Sequence, residues 1–314
     1  MIYAERVPAV AYFGPAGTFT EMALDRLLQN VVPGVAGVDV PADPDRLAEP
    51  NPRAVIEAVR TGAALFGCVP MESSVEGSVP ATMDALACGD PVQIVAEVVI
   101  DIAFTVAALG DRAPGDVATI AAYPVAAGQT RDSIERLFPS ATVVPASSNA
   151  AAAADVAAGA ADAALTTPLA ARAHGLTPLA EDVADAADAT TRFVLVSRPA
   201  PVPARTGRDR TAVVLDLPDV PGSLMRAMRE FADRDIDLTR IQSRPRRTAP
   251  GYWFFLDATG HLDDAPVGQA LAGLHAHGGV TFLGSWPADR GVGEPPPDIG
   301  PSLDWVDRLR RGDR

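Results

Sequence analysis

Short apolar runs alternate with helical stretches through the first 200 residues. Residues 10–13, 64–69, 92–100, 103–108, 118–122, 142–144, 163–165 and 193–196 are predicted strands. Between them, residues 20–29, 52–60, 129–138, 150–158 and 169–174 carry helical periodicity. Strands alternating with helices predict α/β layers. The long apolar run 92–108, broken at Asp101, predicts two strands or a crossover between lobes. Residues 198–209 (RPAPVPARTGRD) are rich in Pro and Arg without apolar periodicity, which predicts a domain boundary. The pattern then becomes a compact βαββαβ unit. It has a strand at 211–217 and a helix at 222–234 with Leu224, Met225, Met228 and Phe231 on one face. Paired strands at 238–243 and 252–258 follow around a basic turn, then a helix at 266–276 and a strand at 280–283. This is the ferredoxin-like arrangement. From Pro287 the chain is rich in Pro, Gly and charge, which predicts disorder ending in a short helix over 303–310.

A length of 314 residues fits two domains, each able to bury a core. The net charge of -14 argues against nucleic acid and anionic membrane as partners, but leaves room for a local cationic site that takes a small anion. All 26 basic side chains are Arg. Cys68 and Cys88 lie in apolar surroundings without metal-ligand spacing and are expected to be buried, reduced thiols. His174, His261, His275 and His277 are expected at the surface, and no metal site is expected. The first residues lack the pattern of an export signal and no apolar run is long enough to span a bilayer, so a cytoplasmic protein is expected.

Three segments carry candidate chemistry. In Phe13-Gly14-Pro15-Ala16-Gly17-Thr18-Phe19-Thr20-Glu21 a strand ends, two glycines turn the chain and a helix begins. Thr18 and Glu21 have capping-box spacing, and the remaining free N–H groups with the helix dipole suit a carboxylate. A plain capped helix reads equally well. In the second segment Glu72, Ser73, Ser74 and Ser78 emerge beyond the predicted strand 64–69. Open α/β sheets bind ligands at such strand ends, although Ser and Glu there also simply cap the next helix. The third is Thr190-Thr191-Arg192-Phe193. Arg192 offers a planar fork that matches a carboxylate and Thr191 a hydroxyl that can donate. In isolation such a pair is more often a solvated turn.

In order and spacing, GPAGTFTE, PMESSVEG and TTRFVLV, followed by PGSLMRAMREFADRDIDLTRIQSRP, resemble the prephenate dehydratase family over residues 9–286. The resemblance implies decarboxylative dehydration of prephenate to phenylpyruvate in L-phenylalanine biosynthesis, with no metal or organic cofactor. It implies an α/β catalytic domain over 8–200, built as two lobes around a cleft like a type II periplasmic binding protein. One lobe would span 8–95 and 185–200, the other 96–184. A linker at 201–209, a ferredoxin-like ACT domain at 210–287 that binds L-phenylalanine as allosteric effector, and a disordered tail at 288–314 complete the division. A homodimer or homotetramer is implied.

By motif, Thr191 would donate a hydrogen bond to the leaving hydroxyl, Arg192 would bind a carboxylate and Phe193 would pack beneath the ring. Glu72 would relay a proton if buried. Thr18 and Thr20 would line the anion site, with Ser73, Ser74, Gln129 and, more weakly, Thr166 and Thr167 as substrate ligands. Gly222, Ser223, Leu224, Gln242, Ser243, Arg244 and Pro245 would bind the effector. The chain departs from the family pattern in four places, two in the catalytic segments and two in the ACT signatures. Glu-Asn-Ser becomes Glu72-Ser73-Ser74, and Ser-His-Pro-Gln becomes Ala122-Tyr123-Pro124-Val125. The ACT signatures Gly-Ala-Leu and Glu-Ser-Arg-Pro become Gly222-Ser223-Leu224 and Gln242-Ser243-Arg244-Pro245. Arogenate dehydratase and a non-catalytic amino-acid sensor are the competing readings, with a solute-binding protein a third.

Overall fold

The structure, a computed structural model, describes residues 9–30, 44–186, 188–246, 250–290 and 293–313. The first sheet contains β1 (Ala9–Phe13), β2 (Asp45–Glu49), β3 (Phe66–Ser73), β4 (Gly77–Ser78), β5 (Gln93–Asp101) and β11 (Thr190–Ser197) in the order β2-β1-β3-β11-β5, with β4 on β3. β1 is parallel to β2 and β3, whereas β11 returns antiparallel between β3 and β5. β5 pairs with β11 along its whole length, so the crossing into the second lobe falls after Asp101 and not at residue 96. Helices α1 (Phe19–Asn30), α2 (Pro52–Thr61) and α3 (Pro80–Ala87) belong to this lobe. Asn51 and Gly62 cap α2: the Asn51 carboxamide accepts from the Ala54 N–H, and Gly62 takes the left-handed turn. On one face of the sheet α1 packs with Val10, Tyr12, Cys68, Phe193 and Leu195. On the other, Val55, Ile56, Met71, Met83, Val194 and Val196 form a second core.

The second lobe is a sheet of β6 (Thr105–Ala108), β7 (Thr119–Ala122), β8 (Thr142–Pro145), β9 (Ala163–Thr166) and β10 (Thr177–Ala180), ordered β10-β6-β9-β7-β8. It carries α4 (Pro124–Gln129), α5 (Arg131–Leu137), α6 (Asn149–Ala157) and α7 (Pro168–Ala173). One side of its core is mostly alanine (Ala107, Ala121, Ala152, Ala153, Ala164, Ala170, Ala171), which lets α6 and α7 lie close to the sheet. Asp162 ties β9 to β7: its carboxylate accepts from the N–H groups of Ala118 and Thr119 and from the Thr119 hydroxyl, and pairs with Arg112. The Arg112 bond, followed by the Thr119 bonds, lowers the Asp162 pKa to about 2. The folded value is below the unfolded one, so this stabilisation is present above the ordinary carboxylate range and is lost as pH falls through about 2. Asp162→Asn is therefore expected to lower the urea midpoint at pH 7, with the deficit shrinking steadily as pH falls toward 2. An equal deficit at both pH values would count against the ionised pair as its source.

The third unit is a four-stranded antiparallel sheet of β12 (Asp209–Asp216), β13 (Leu238–Pro245), β14 (Tyr252–Thr259) and β15 (Val280–Pro287), ordered β13-β14-β12-β15, with α8 (Ser223–Ala232) and α9 (Ala265–His277). This is the βαββαβ arrangement. Residues 247–249 of the basic turn lie outside the described residues. Val213, Leu215, Leu256 and Ala258 face the helices. Alternate residues, Ala212, Val214, Phe255, Leu283 and Trp286, join the α2–α3 core of the first lobe. β12 is thus covered on both faces, which is why it reads as an unbroken apolar run. The approach is close at Gly284, where an added Cβ would lie 2.2 Å from the Ile94 carbonyl oxygen.

Several expectations are corrected. Beyond Pro287 the chain is pinned to β5. The Asp289 N–H donates to Glu97, the Val99 N–H donates to the Asp289 carboxylate, and Arg290 forks onto Asp101. The end forms α10 (Gly300–Arg311), longer than the helix expected over 303–310. Cys88 is exposed where the chain leaves α3, so only Cys68 is the buried thiol, and burial pushes its pKa up. His261 is fully buried: its Nδ1 accepts from the Asp263 N–H and its Nε2 meets the Pro203 carbonyl, 2.9 Å away. The other three histidines are exposed.

Candidate active site

A cavity of about 630 Å³ lies between the first two lobes, within the usual range of small-molecule sites. Residues 13–15, 18–20 and 48–50 form one wall. Tyr123, Ser147, Ser148, Asn149 and Ala151 form the other. Two helices begin at this cavity, one from each lobe. At α1 the Thr18 hydroxyl accepts from the Glu21 N–H (3.4 Å), while the Glu21 carboxylate accepts from the Gly17 N–H (2.6 Å). This is a capping box whose return bond is displaced by one residue. At α6 the Ser148 hydroxyl accepts from the Ala151 N–H (2.9 Å). Two positive helix ends facing one space suit a dianion.

Thr20 lines the cavity, and its hydroxyl has no hydrogen-bond partner among the described residues. Asn149 was not anticipated. It lines the cavity, and its Oδ1 is buried with no hydrogen-bond partner among the described residues. Its sequence signal was a Ser-Asn pair opening an alanine helix. Tyr123, in the segment that departs from the family pattern, brings a phenol to the wall, whereas Ala122 is buried.

The lobes touch on either side of this space. The Thr167 hydroxyl donates to the Gly17 carbonyl (2.6 Å), and Gly17 is left-handed (φ +86°) with no room for a Cβ beside Ala170. Gln129 donates to Glu76 (3.1 Å), so this expected substrate ligand bridges the lobes. Ser73 accepts from the N–H groups of Val75 and Glu76 and shapes the loop between β3 and β4. Ser74 clasps β11: its hydroxyl accepts from the Thr190 N–H (2.9 Å) and its own N–H donates to the Thr190 carbonyl (2.9 Å). Thr166 does not reach the cavity. It is fully buried, and its hydroxyl donates to the Asn149 carbonyl (2.6 Å), which fixes the start of α6.

Strand alternation separates the residues of the TTRF segment. Thr191, Phe193 and Leu195 project to the α1 side, Arg192, Val194 and Val196 to the opposite side. Thr191 is half-buried beside Ser73, and its hydroxyl makes no hydrogen bond among the described residues. Phe193 is part of the α1 core, so it does not lie beneath a ligand ring. Arg192 is directed at carboxylates of the chain itself. Its Nη2 lies 2.7 Å from Asp257 and 3.1 Å from Glu72, and its Nη1 lies 3.3 Å from Glu97. Burial would lower the Arg192 pKa, but Asp257 and Glu97 outweigh it and raise it. Burial would likewise raise the Asp257 pKa, and the guanidinium groups of Arg240 and Arg192 reverse this and hold it low. The Glu72 side chain is 36% exposed and ion-paired, so the burial that a proton relay requires is missing.

In the third unit Gly222, Ser223 and Leu224 line a second cavity, of about 190 Å³, with Tyr252 and Phe254. Gln242, Ser243, Arg244 and Pro245 lie apart from it on β13, where Arg244 forks onto Asp84 of α3 (3.0 and 3.0 Å). One chain does not bring the two expected effector segments together around a single space.

The chain matches the family model for prephenate dehydratase over residues 10–201. A prephenate dehydratase of Mycobacterium sp. (strain JLS) is 52% identical over 309 residues, covering 98% of this chain and 97% of the relative. A prephenate dehydratase of Arthrobacter aurescens, solved in complex with L-Phe, superposes with a TM-score of 0.82 at 39% identity, covering 96% of this chain and 99% of that one. A quorum-quenching acylase also superposes, with a TM-score of 0.76 at 26% identity, covering 90% and 98%. The fold alone therefore does not select the chemistry. Identity near one half along the whole length, together with the family model, places this chain in the prephenate dehydratase family.

Proposed function

We propose that the chain converts prephenate to phenylpyruvate in the cleft and is regulated by L-phenylalanine through residues 209–287, an ACT unit. The observation that carries the first part is the cavity between the lobes, bounded by the positive ends of α1 and α6. Prephenate is a dianion, and these ends suit its carboxylates. The reaction takes up one proton and releases carbon dioxide and water: the ring carboxylate leaves as carbon dioxide, its electron pair enters the ring and the ring hydroxyl departs. Aromatisation supplies the driving force, so the protein's task is to hold the dianion and assist the departing oxygen. Thr191 is the proposed donor to that oxygen, with the proton delivered through water: its hydroxyl is unengaged among the described residues and lies on the α1 side of β11, although not on the wall of the cavity itself. L-phenylalanine would sit by the Gly222–Leu224 turn, with β13 of a second copy completing the site, which makes the working protein a cytoplasmic homo-oligomer.

Arogenate carries an ammonium group in place of the keto oxygen. The unpartnered Asn149 Oδ1, a hydrogen-bond acceptor, is the feature that favours testing it. Purified full-length protein is expected to turn over prephenate at least about tenfold faster than arogenate, with the prephenate rate falling when phenylalanine is added. Faster turnover of arogenate would make it the substrate. Inertness toward both would leave a non-catalytic sensor.

A further inference from the structure

Arg192 follows Thr191 directly, yet its side chain leaves the cleft side of the sheet and enters the contact with the third unit. It is 7% exposed and Asp257, on β14, is fully buried. Asp257 is shared: Arg240 holds both of its oxygens (2.6 and 2.9 Å), Arg192 takes one at 2.7 Å and Arg210 lies at 3.9 Å. Arg210 also donates to Glu97 (3.1 Å), as does the indole of Trp286 (3.0 Å). The buried cluster thus sets three guanidinium groups against two fully buried carboxylates, Glu97 and Asp257. The third negative charge comes from Glu72, at the more exposed edge. Glu72 opens the loop whose Ser74 clasps Thr190 and whose Glu76 reaches Gln129 of the second lobe. At the other end, β14 runs from Tyr252 and Phe254, on the wall of the smaller cavity, to Asp257 three residues later, a distance of about 10 Å.

We propose that Asp257 is a positioning residue for the reaction: by holding Arg192 it sets Thr191 and the Glu72 loop, and it passes the state of the third unit to the cleft. This rests on the reading of residues 209–287 as a phenylalanine-binding unit. If phenylalanine shifts β14 relative to β11, the Arg192–Asp257 contact is strained and the charge balance of Arg192 falls on Glu72, which carries its loop and the start of β11 with it. Arg192 in this arrangement is a structural cation and not a ligand of the substrate.

The test uses the full-length protein with Asp257→Asn, Asp257→Glu and, because Asp257 is buried, Glu72→Gln at the solvent edge. Phenylalanine binding is measured by calorimetry, and prephenate turnover is followed with and without phenylalanine. Asp257→Asn is expected to lower basal kcat with KM little changed, Asp257→Glu to recover part of it, and both Asp257→Asn and Glu72→Gln to bind phenylalanine while losing about tenfold of its effect on kcat/KM. Arg290→Ala, which removes a different ion pair to β5, is expected to keep full regulation. Asp257→Asn or Glu72→Gln that binds phenylalanine and is inhibited like the unaltered protein overturns the proposal, as does unchanged basal kcat in Asp257→Asn. Failure of the unaltered protein to bind phenylalanine sinks instead the sensor reading, and basal kcat in the Asp257 variants then decides the positioning role alone.

Discussion

Thr191→Ala is expected to lower kcat for prephenate by about 10²–10³-fold with KM changed far less, the range for losing one oriented proton donor at a departing oxygen. The hydroxyl is positioned by backbone. Thr191 pairs with Ser73 on one side and Ile100 on the other, and the neighbouring Thr190 is clasped by Ser74. Its methyl group adds little, so Thr191→Ser is expected to keep most of the rate and Thr191→Val to behave like the alanine variant. Steady-state formation of phenylpyruvate measures all three. A Thr191→Ala enzyme that retained a substantial fraction of the rate would remove Thr191 from the chemistry. A threonine hydroxyl is too weak an acid to act alone, so the contribution proposed for it is a directed hydrogen bond whose proton is replaced from water.

The second large effect is structural. Gly284→Val is expected to lower stability by about 2–5 kcal/mol, a large share of the total for a protein of this kind. Gly284 adopts φ +139°, and an added Cβ would lie 2.2 Å from the Ile94 carbonyl oxygen. The obstacle is backbone near the start of β5, where Ile94 pairs with Val196 of β11, so it cannot move aside as a side chain would. β15 must lift from the first lobe, and Trp286 and Leu283 leave the shared core with it. Gly284→Ala should show the same loss in weaker form, read as a lowered urea midpoint. An unchanged midpoint for Gly284→Val would mean that β15 and β5 do not approach so closely.

The sheets were legible because most of their strands carry apolar runs of the right length, and the third unit because apolar residues repeat at helical spacing in α8. Met225 of the expected face is nevertheless 64% exposed, and the buried face is Ser223, Ala227 and Phe231 with Met228 against it. β2 escaped because Asp45–Glu49 is largely exposed and has no alternation to read. α3 escaped because it follows directly on a polar motif that drew the functional reading. Of the three segments singled out in the sequence, the first lines the cavity, while the second and third form a loop and a strand off its wall, and the directions of their side chains were not legible. Arg192 has the chemistry of a carboxylate ligand, and only the parity of β11 shows that the carboxylates belong to the chain. That parity is silent in the sequence, since Phe193, Val194, Leu195 and Val196 are all buried and neither face of the strand is marked as polar. Thr166 was misplaced for the same reason, at the end of a strand buried throughout. Asn149 was missed because a residue opening an alanine helix looks like a cap until the opposite wall of the cleft is in view.

The apolar layer that joins β12, β14 and β15 to the first lobe also bears on how such a protein can be changed. Residues 198–209 mark a boundary of topology, but no boundary of cohesion follows them, because Ala212, Val214, Phe255, Leu283 and Trp286 are as much the interior of one unit as of the other. A unit attached in this way is not an interchangeable cartridge. A foreign sensor fused at the linker would have to bring a matching inner surface, a glycine opposite Ile94 and an acidic residue opposite Arg192. Sequence change in this unit is therefore tolerated best where it leaves that surface alone: on the far side of the sheet, at the turn before α8 and along the outer strand β13, where the effector is proposed to bind.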